Sequence, residues 1–211
     1  MGGSGKSTAG GIGLALGEPL SKLLTEIAGC RACAADFNHE PRPVVMVAPQ
    51  TRILICGQAP GRRVHESGVP FTDPSGDRLR SWMGLDADTF YRRPEIGVAA
   101  MAFCFPGTNP TGGDYPPPPR CAALWRKRLM AALPKMELTL LVGGYGQAWA
   151  LKDRAKANMT ETVRAWRDYL PDILPMPHPS WRNTGWLKKN PWFEADLAPY
   201  LRKRVQEILN R

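Results

Sequence analysis

The stretch Ile53-Leu54-Ile55-Cys56-Gly57-Gln58-Ala59-Pro60-Gly61 decides the fold, because four apolar residues stop abruptly at a glycine-flanked turn. A short apolar run closed by such a turn is the mark of a strand buried on both faces, as in a parallel sheet. The small residues of the turn let a ligand come close to the backbone. A second string, Met176-Pro177-His178-Pro179-Ser180, also follows an apolar run and carries a histidine on a loop stiffened by two prolines. Loops at the ends of strands are where α/β proteins place their sites.

Outward from these strings, strand-like runs occur at residues 52–56, 96–103, 138–142 and 173–176. Helical spacing appears at 20–28, 76–84, 121–133 and 145–151. Asn190-Pro191 reads as the cap and first-turn proline of a last helix, with Phe193, Leu197, Leu201, Val205 and Ile208 as its apolar stripe. The alternation predicts an α/β fold: three αβα layers around a small central parallel sheet. Residues 1–18 are glycine-rich and aperiodic, and read as a disordered leader to one domain at 19–211. Their Gly2-Gly3-Ser4-Gly5-Lys6-Ser7-Thr8 imitates a phosphate-binding loop, but no strand leads into it. A Pro/Gly-rich stretch at 106–119 has no element of its own, and long loops of that kind in compact domains carry function or move.

The chain has 211 residues and is 43% hydrophobic, enough for one core. It has no apolar run of 18 residues, so neither a membrane span nor a membrane partner is expected, and a cytoplasmic monomer is. A net charge of +9 favours polyanionic partners, nucleic acid before membrane surfaces. Five cysteines point to a metal or to buried thiols rather than disulfides. Cys30-Arg31-Ala32-Cys33 and the pair Cys104 and Cys121 offer four thiolates, suited to structural zinc or to an iron-sulfur cluster. Cys56, inside an apolar strand, reads as a small core residue.

In this order the strings resemble motifs A and B of the uracil-DNA glycosylase superfamily, and the chain from about Leu20 onward is most similar to its family 4. Gly57, Ala59, Pro60 and Gly61 match motif A, Gly68-Val69-Pro70-Phe71 matches the segment with the base-stacking aromatic, and His178-Pro179-Ser180 matches motif B. Gly143-Gly144-Tyr145-Gly146 resembles the family's strand-to-helix turn. The resemblance implies a 4Fe-4S cluster on Cys30, Cys33, Cys104 and Cys121, with a structural role. It also implies cleavage of an N-glycosidic bond in DNA containing uracil or a damaged base, after the base is flipped from the stack. His178 would stabilise the departing uracil anion at O2, and Phe71 would stack on the base.

Two positions depart from the pattern. Gln58 and Ala59 leave motif A without the family's water-orienting carboxylate, and Ala100 stands where the family has an asparagine that reads uracil's edge. Gln58 cannot act as a base, but its amide can bond the base or place a water. Asp73 is the first choice for the missing carboxylate, with His65 and Glu66 as further titratable groups near motif A. Arg62-Arg63-Val64-His65 also resembles a string in a superfamily branch that traps uracil-DNA through histidine, although there it lies beside the fourth cysteine.

For DNA holding, Ser180, Trp181, Arg182 and Asn183 follow motif B, and Trp186, Lys188 and Lys189 continue the mixture of basic and aromatic residues. Arg120, Arg126, Lys127 and Arg128 would extend that patch. The expectation is a base-excising DNA glycosylase. The alternatives are a catalytically silent binder of damaged DNA and a zinc-stapled nucleic-acid adaptor.

Overall fold

Strand β1 (Ile53–Cys56), buried along its whole length, occupies an inner position of a four-stranded parallel sheet in the computed structural model, which describes residues 19–211. The expected leader and its phosphate-loop mimic lie outside the described residues. Helix α1 (Leu20–Ala28) precedes β1, and α2 (Arg62–Ser67), α3 (Pro74–Met83) and α4 (Ala87–Arg92) lead to β2 (Ile96–Val98). Next come α5 (Pro119–Ala131), β3 (Leu138–Val142), α6 (Gly144–Leu151), α7 (Met159–Arg164) and β4 (Ile173–Met176). Helix α8 (Thr184–Lys189), a π-helical turn at Phe193–Leu197 and α9 (Ala198–Leu209) complete the chain.

The strand order is β2-β1-β3-β4, with Ile53 in register with both Ile96 and Leu138. From β1 the chain steps one way to β2 and returns to the other side for β3. That reversal opens a crevice at the carboxyl ends of β1 and β3.

Because side chains alternate along a strand, β1 feeds two cores. Ile53 and Ile55 pack with Leu79 and Trp82 of α3 and Leu201 and Val205 of α9. Leu54 faces the opposite layer, with Leu20, Leu23 and Ile27 of α1 and Leu129 of α5. Each such side chain contributes roughly 1.5–3 kcal/mol on burial, so helices on both faces follow from a strand that is apolar on both. The expected three-layer arrangement is the one observed.

Helix α1 and strands β3 and β4 occupy their expected spans. Helix α3 starts earlier than expected, at Pro74, whose fixed φ suits a first turn, and it stops at Gly84 with φ 69°. The expected strand at 96–103 ends at Val98. Residues 99–103 instead cross behind the turn after β1: Ala99, Met101 and Ala102 donate backbone N–H bonds to Ile55, Gly57 and Gln58 at 2.9–3.1 Å. The final stripe is wholly buried. Asn190 does not cap that helix by its side chain, which bonds the Trp186 carbonyl and Trp192 Nε1. Helices α2, α4, α7 and α8 span six residues each, too short for periodicity to reveal. Asp86 and Asn158, which cap α4 and α7, and Gly68, which ends α2 at φ 74°, are local signals for them.

Candidate active site

At the carboxyl end of the sheet lies a cleft of about 490 Å³ that gathers Gly57, Gln58, Ala59, Pro60 and Gly61 from the turn after β1. Phe71 and Asp73 enter from the segment between α2 and α3, Ala100 from beyond β2, and His178, Ser180, Trp181 and Arg182 from beyond β4. Most of the expected site residues are thus brought together, across a sequence separation that only the parallel sheet closes.

His178 is held in one protonation state. The backbone N–H of Ser180 donates to its Nδ1 at 3.1 Å, so Nδ1 carries a lone pair and the ring proton sits on Nε2. Burial lowers its pKa below the usual histidine value, against the opposing effect of the Asp73 carboxylate. The ring is therefore neutral at pH 7, with one N–H left to donate. Asn183, expected on the DNA surface, is half-buried and turns inward, its Nδ2 donating to the His178 carbonyl at 2.7 Å. Gly143, at the end of β3, adopts φ 84° and passes beneath His178; its N–H bonds the Met176 carbonyl at 2.9 Å.

Phe71 has a left-handed backbone (φ 58°), a costly conformation for a phenylalanine, of order 1–3 kcal/mol. Its surroundings enforce it. The Phe71 carbonyl accepts from Arg80 at 3.1 Å and from the Tyr91 hydroxyl at 3.0 Å, and a Cβ on Gly76 would sit 1.9 Å from the same oxygen. Arg80 is itself buried between Phe90 and Tyr91 and paired with Asp77 at 2.5 Å.

Asp73 lines the cleft, with both carboxylate oxygens accepting the Ser75 hydroxyl at 2.8–2.9 Å. His65 is not in this cleft. It lies on the far side of Arg62, in a neighbouring recess with His39 and Phe105, where its ring stands edge-on to His39 at 4.7 Å. Burial and the His39 ring lower its pKa. Gln58 donates from Nε2 to the Tyr115 carbonyl at 3.2 Å, tying motif A to the 105–119 loop. One lining residue, Asp114 of that loop, has no motif around it that would have marked it in the sequence.

Trp181 is 71% exposed at the cleft mouth, with the Arg182 guanidinium 5.8 Å from its ring. Trp186 is instead packed against Trp192 and Phe193, with its Nε1 bonded to Thr160. The basic patch shrinks on the α5 side. Arg126 is buried against Cys56 and the Ala99 carbonyl, Arg120 pairs with Asp36 at 3.3 Å, and Arg128 pairs with Glu26 at 2.5 Å. Cys56 is a core residue, as expected.

Cys30, Cys33, Cys104 and Cys121 line a separate, narrow cavity of about 20 Å³ with Phe37, Phe103 and Trp125. Among the described residues no group of three or more His, Cys, Asp or Glu side chains forms a ready metal-holding set, and none of the five cysteines is in a disulfide. The donor chemistry of the cavity nevertheless fits a group bound by four thiolates. Backbone N–H groups of Phe103 and Arg42 are aimed at the Cys121 and Cys104 sulfurs. Burial, reinforced by the neighbouring thiols, pushes Cys104 up to about 12 and Cys121 up to about 11.

Among solved structures, a solution NMR structure of a candidate uracil DNA glycosylase from Methanosarcina acetivorans is similar to this chain, with 16% identity and a TM-score of 0.45. The match covers 76% of this chain and 94% of that one. The model of the uracil DNA glycosylase superfamily matches residues 45–202, a span that holds β1 through β4 and every residue of the cleft except Val44. The chain belongs to the uracil DNA glycosylase superfamily.

Proposed function

We propose that the protein is a DNA glycosylase that hydrolyses the N-glycosidic bond of uracil or a related deaminated base, acting as a monomer. The observation that carries this reading is the neutral His178, which keeps its ring N–H on Nε2 and lines, beyond β4, a cleft that also holds Phe71 and motif A. As the C1′–N bond breaks, its electron pair moves to the base, and a fixed N–H in a dry pocket stabilises the resulting anion by several kcal/mol. Phe71 stacks on the extruded base, held by the strained backbone that Arg80 and Tyr91 support. Ala100 presents only a methyl group where an edge-reading amide would sit, which supports a pocket tolerant of more than one base. Trp181 and Arg182 would fill the vacated stack and contact phosphate.

Cys30, Cys33, Cys104 and Cys121 would hold a 4Fe-4S cluster, with zinc the alternative. Its role would be structural, tying the segment after α1 to the start of α5 and to the chain beyond β2.

The test is a panel of oligonucleotides carrying uracil, hypoxanthine or xanthine, incubated with wild type and His178→Ala and scored for abasic sites. Excision by the wild type and its loss in the variant are expected. Binding without excision would instead favour a silent damaged-DNA binder, the reading that the acid-free motif A also supports.

A further inference from the structure

Motif A lacks a carboxylate, yet a carboxylate overhangs it. The 105–119 loop folds back on itself through a Thr108–Asp114 bridge and hydrogen bonds from Asn109 to Gly113 (2.7 Å) and Tyr115 to Gly107 (2.9 Å). Gly107, Gly112 and Gly113 take φ of 87–100°, which only glycine adopts without strain. The loop is fastened to the cleft at three points, one of them a bond from Arg62 Nη2 to Thr108 Oγ1 at 3.5 Å. Gln58 Nε2 donates to the Tyr115 carbonyl, and the Arg182 guanidinium packs so tightly on Gly113 that a Cβ there would meet Nη1 at 2.8 Å.

Between these fastenings sits Asp114. Its Oδ2 approaches Gly61 closely enough to lie 3.6 Å from where a Cβ would stand. Its carboxylate has no hydrogen-bond donor among the described residues, although Arg62 and Arg182 are close enough to act on it electrostatically. Asp73, by contrast, has both oxygens on Ser75. Burial raises the Asp114 pKa above the usual aspartate value, with the two arginines opposing and Asp73 adding to the rise.

We infer that Asp114, latched over motif A by Gln58, is the catalytic carboxylate that receives the proton of the attacking water, the task motif A itself cannot perform. This rests on the glycosylase reading above. In the step, the water oxygen bonds to C1′ as the C1′–N bond breaks. The bond pair leaves with the base, held by His178, and one water proton passes to Asp114 and then to solvent. Gln58 is a positioning residue: its amide cannot accept that proton, but it fixes the loop that does.

The experiment compares wild type, Asp114→Asn, Asp73→Asn and Gln58→Ala for single-turnover excision of uracil from a single-stranded oligonucleotide. Each is also tested for binding to the same oligonucleotide bearing uncleavable 2′-fluoro-2′-deoxyuridine. Asp114→Asn should lose about 10²-fold or more in rate, within the range of a lost general base. Its affinity for the analogue should stay within about twofold of wild type, and the acid limb of its pH profile should move. Gln58→Ala should lose rate in the same direction by a smaller factor. An active wild type with Asp114→Asn equally active, with an unmoved acid limb, or with rate and affinity lost in proportion overturns the assignment alone. Loss confined to Asp73→Asn does the same. A wild type inactive on uracil, hypoxanthine and xanthine overturns the glycosylase reading and this assignment with it.

Discussion

The backbone N–H of Ser180 donates to His178 Nδ1 at 3.1 Å, and this one bond determines which ring nitrogen carries the proton. The Pro179 ring between the two residues narrows the loop's freedom, so the tautomer is set before any ligand arrives. His178→Ala is expected to reduce the excision rate by about 10²–10³-fold, the scale of a lost fixed donor at a developing anion. Ser180→Pro removes the N–H and should reduce the rate more than Ser180→Ala, which keeps it. Single-turnover kinetics on a uracil oligonucleotide check the order.

The same burial predicts a pH dependence of stability. His178 and His65 both have pKa values lowered from 6.5 in the folded chain, so the unfolded chain takes up protons first as the pH falls. Their contribution is fully present above about pH 6.5 and is lost as the pH drops through the folded values. Urea unfolding at pH 8 and pH 5 should show wild type losing more stability than a His65→Gln/His178→Gln double variant.

Gly76 and Phe71 form a second coupled pair. A methyl at Gly76 would lie 1.9 Å from the Phe71 carbonyl, so Gly76→Ala must displace the segment that presents the ring. A loss of about 1–3 kcal/mol in stability is expected, as for other overpacked contacts. Phe71→Ala keeps the fold but should weaken binding to an uncleavable substrate by roughly 1–3 kcal/mol, the value of one base stacked on an aromatic ring. Thermal unfolding and equilibrium binding separate the two effects.

For the cysteine cavity, anaerobically purified protein should absorb at about 400 nm if it holds an iron-sulfur cluster, and lack the band if it holds zinc. Serine at Cys104 or Cys121 should abolish binding of either group and lower the unfolding temperature, because metal affinity at such sites is also folding energy. Metal analysis alongside the spectrum identifies which group is held.

Trp181 leaves most of its ring in solvent, and Arg182 is an exposed side chain that packs on that ring and on Gly113 near the Asp114 carboxylate, so their loss should leave stability within about 0.5 kcal/mol of wild type. Affinity for single-stranded DNA should fall in Trp181→Ala by about 1–3 kcal/mol. In Arg182→Ala the fall should shrink as salt is raised, because a phosphate contact is worth less at high ionic strength. Titrations at two salt concentrations test both.

The sequence by itself determined the layers of this protein and the two loops that matter. A strand such as Ile53-Leu54-Ile55-Cys56, apolar on both faces, can be satisfied only between two helical layers, and the turn that ends it marks the edge where ligands approach. These are local properties, set by side-chain alternation and turn chemistry. Tertiary structure decided how the residues around those loops divide. Asn183 turned inward and Arg126 became buried because packing, not residue type, sets exposure. His65 fell on the far side of Arg62 because a six-residue helix carries it away from motif A. Asp114 entered the cleft through three left-handed glycines and the bonds from Gln58 to Tyr115 and from Arg62 to Thr108, a placement made by backbone geometry and long-range contacts that no local pattern encodes.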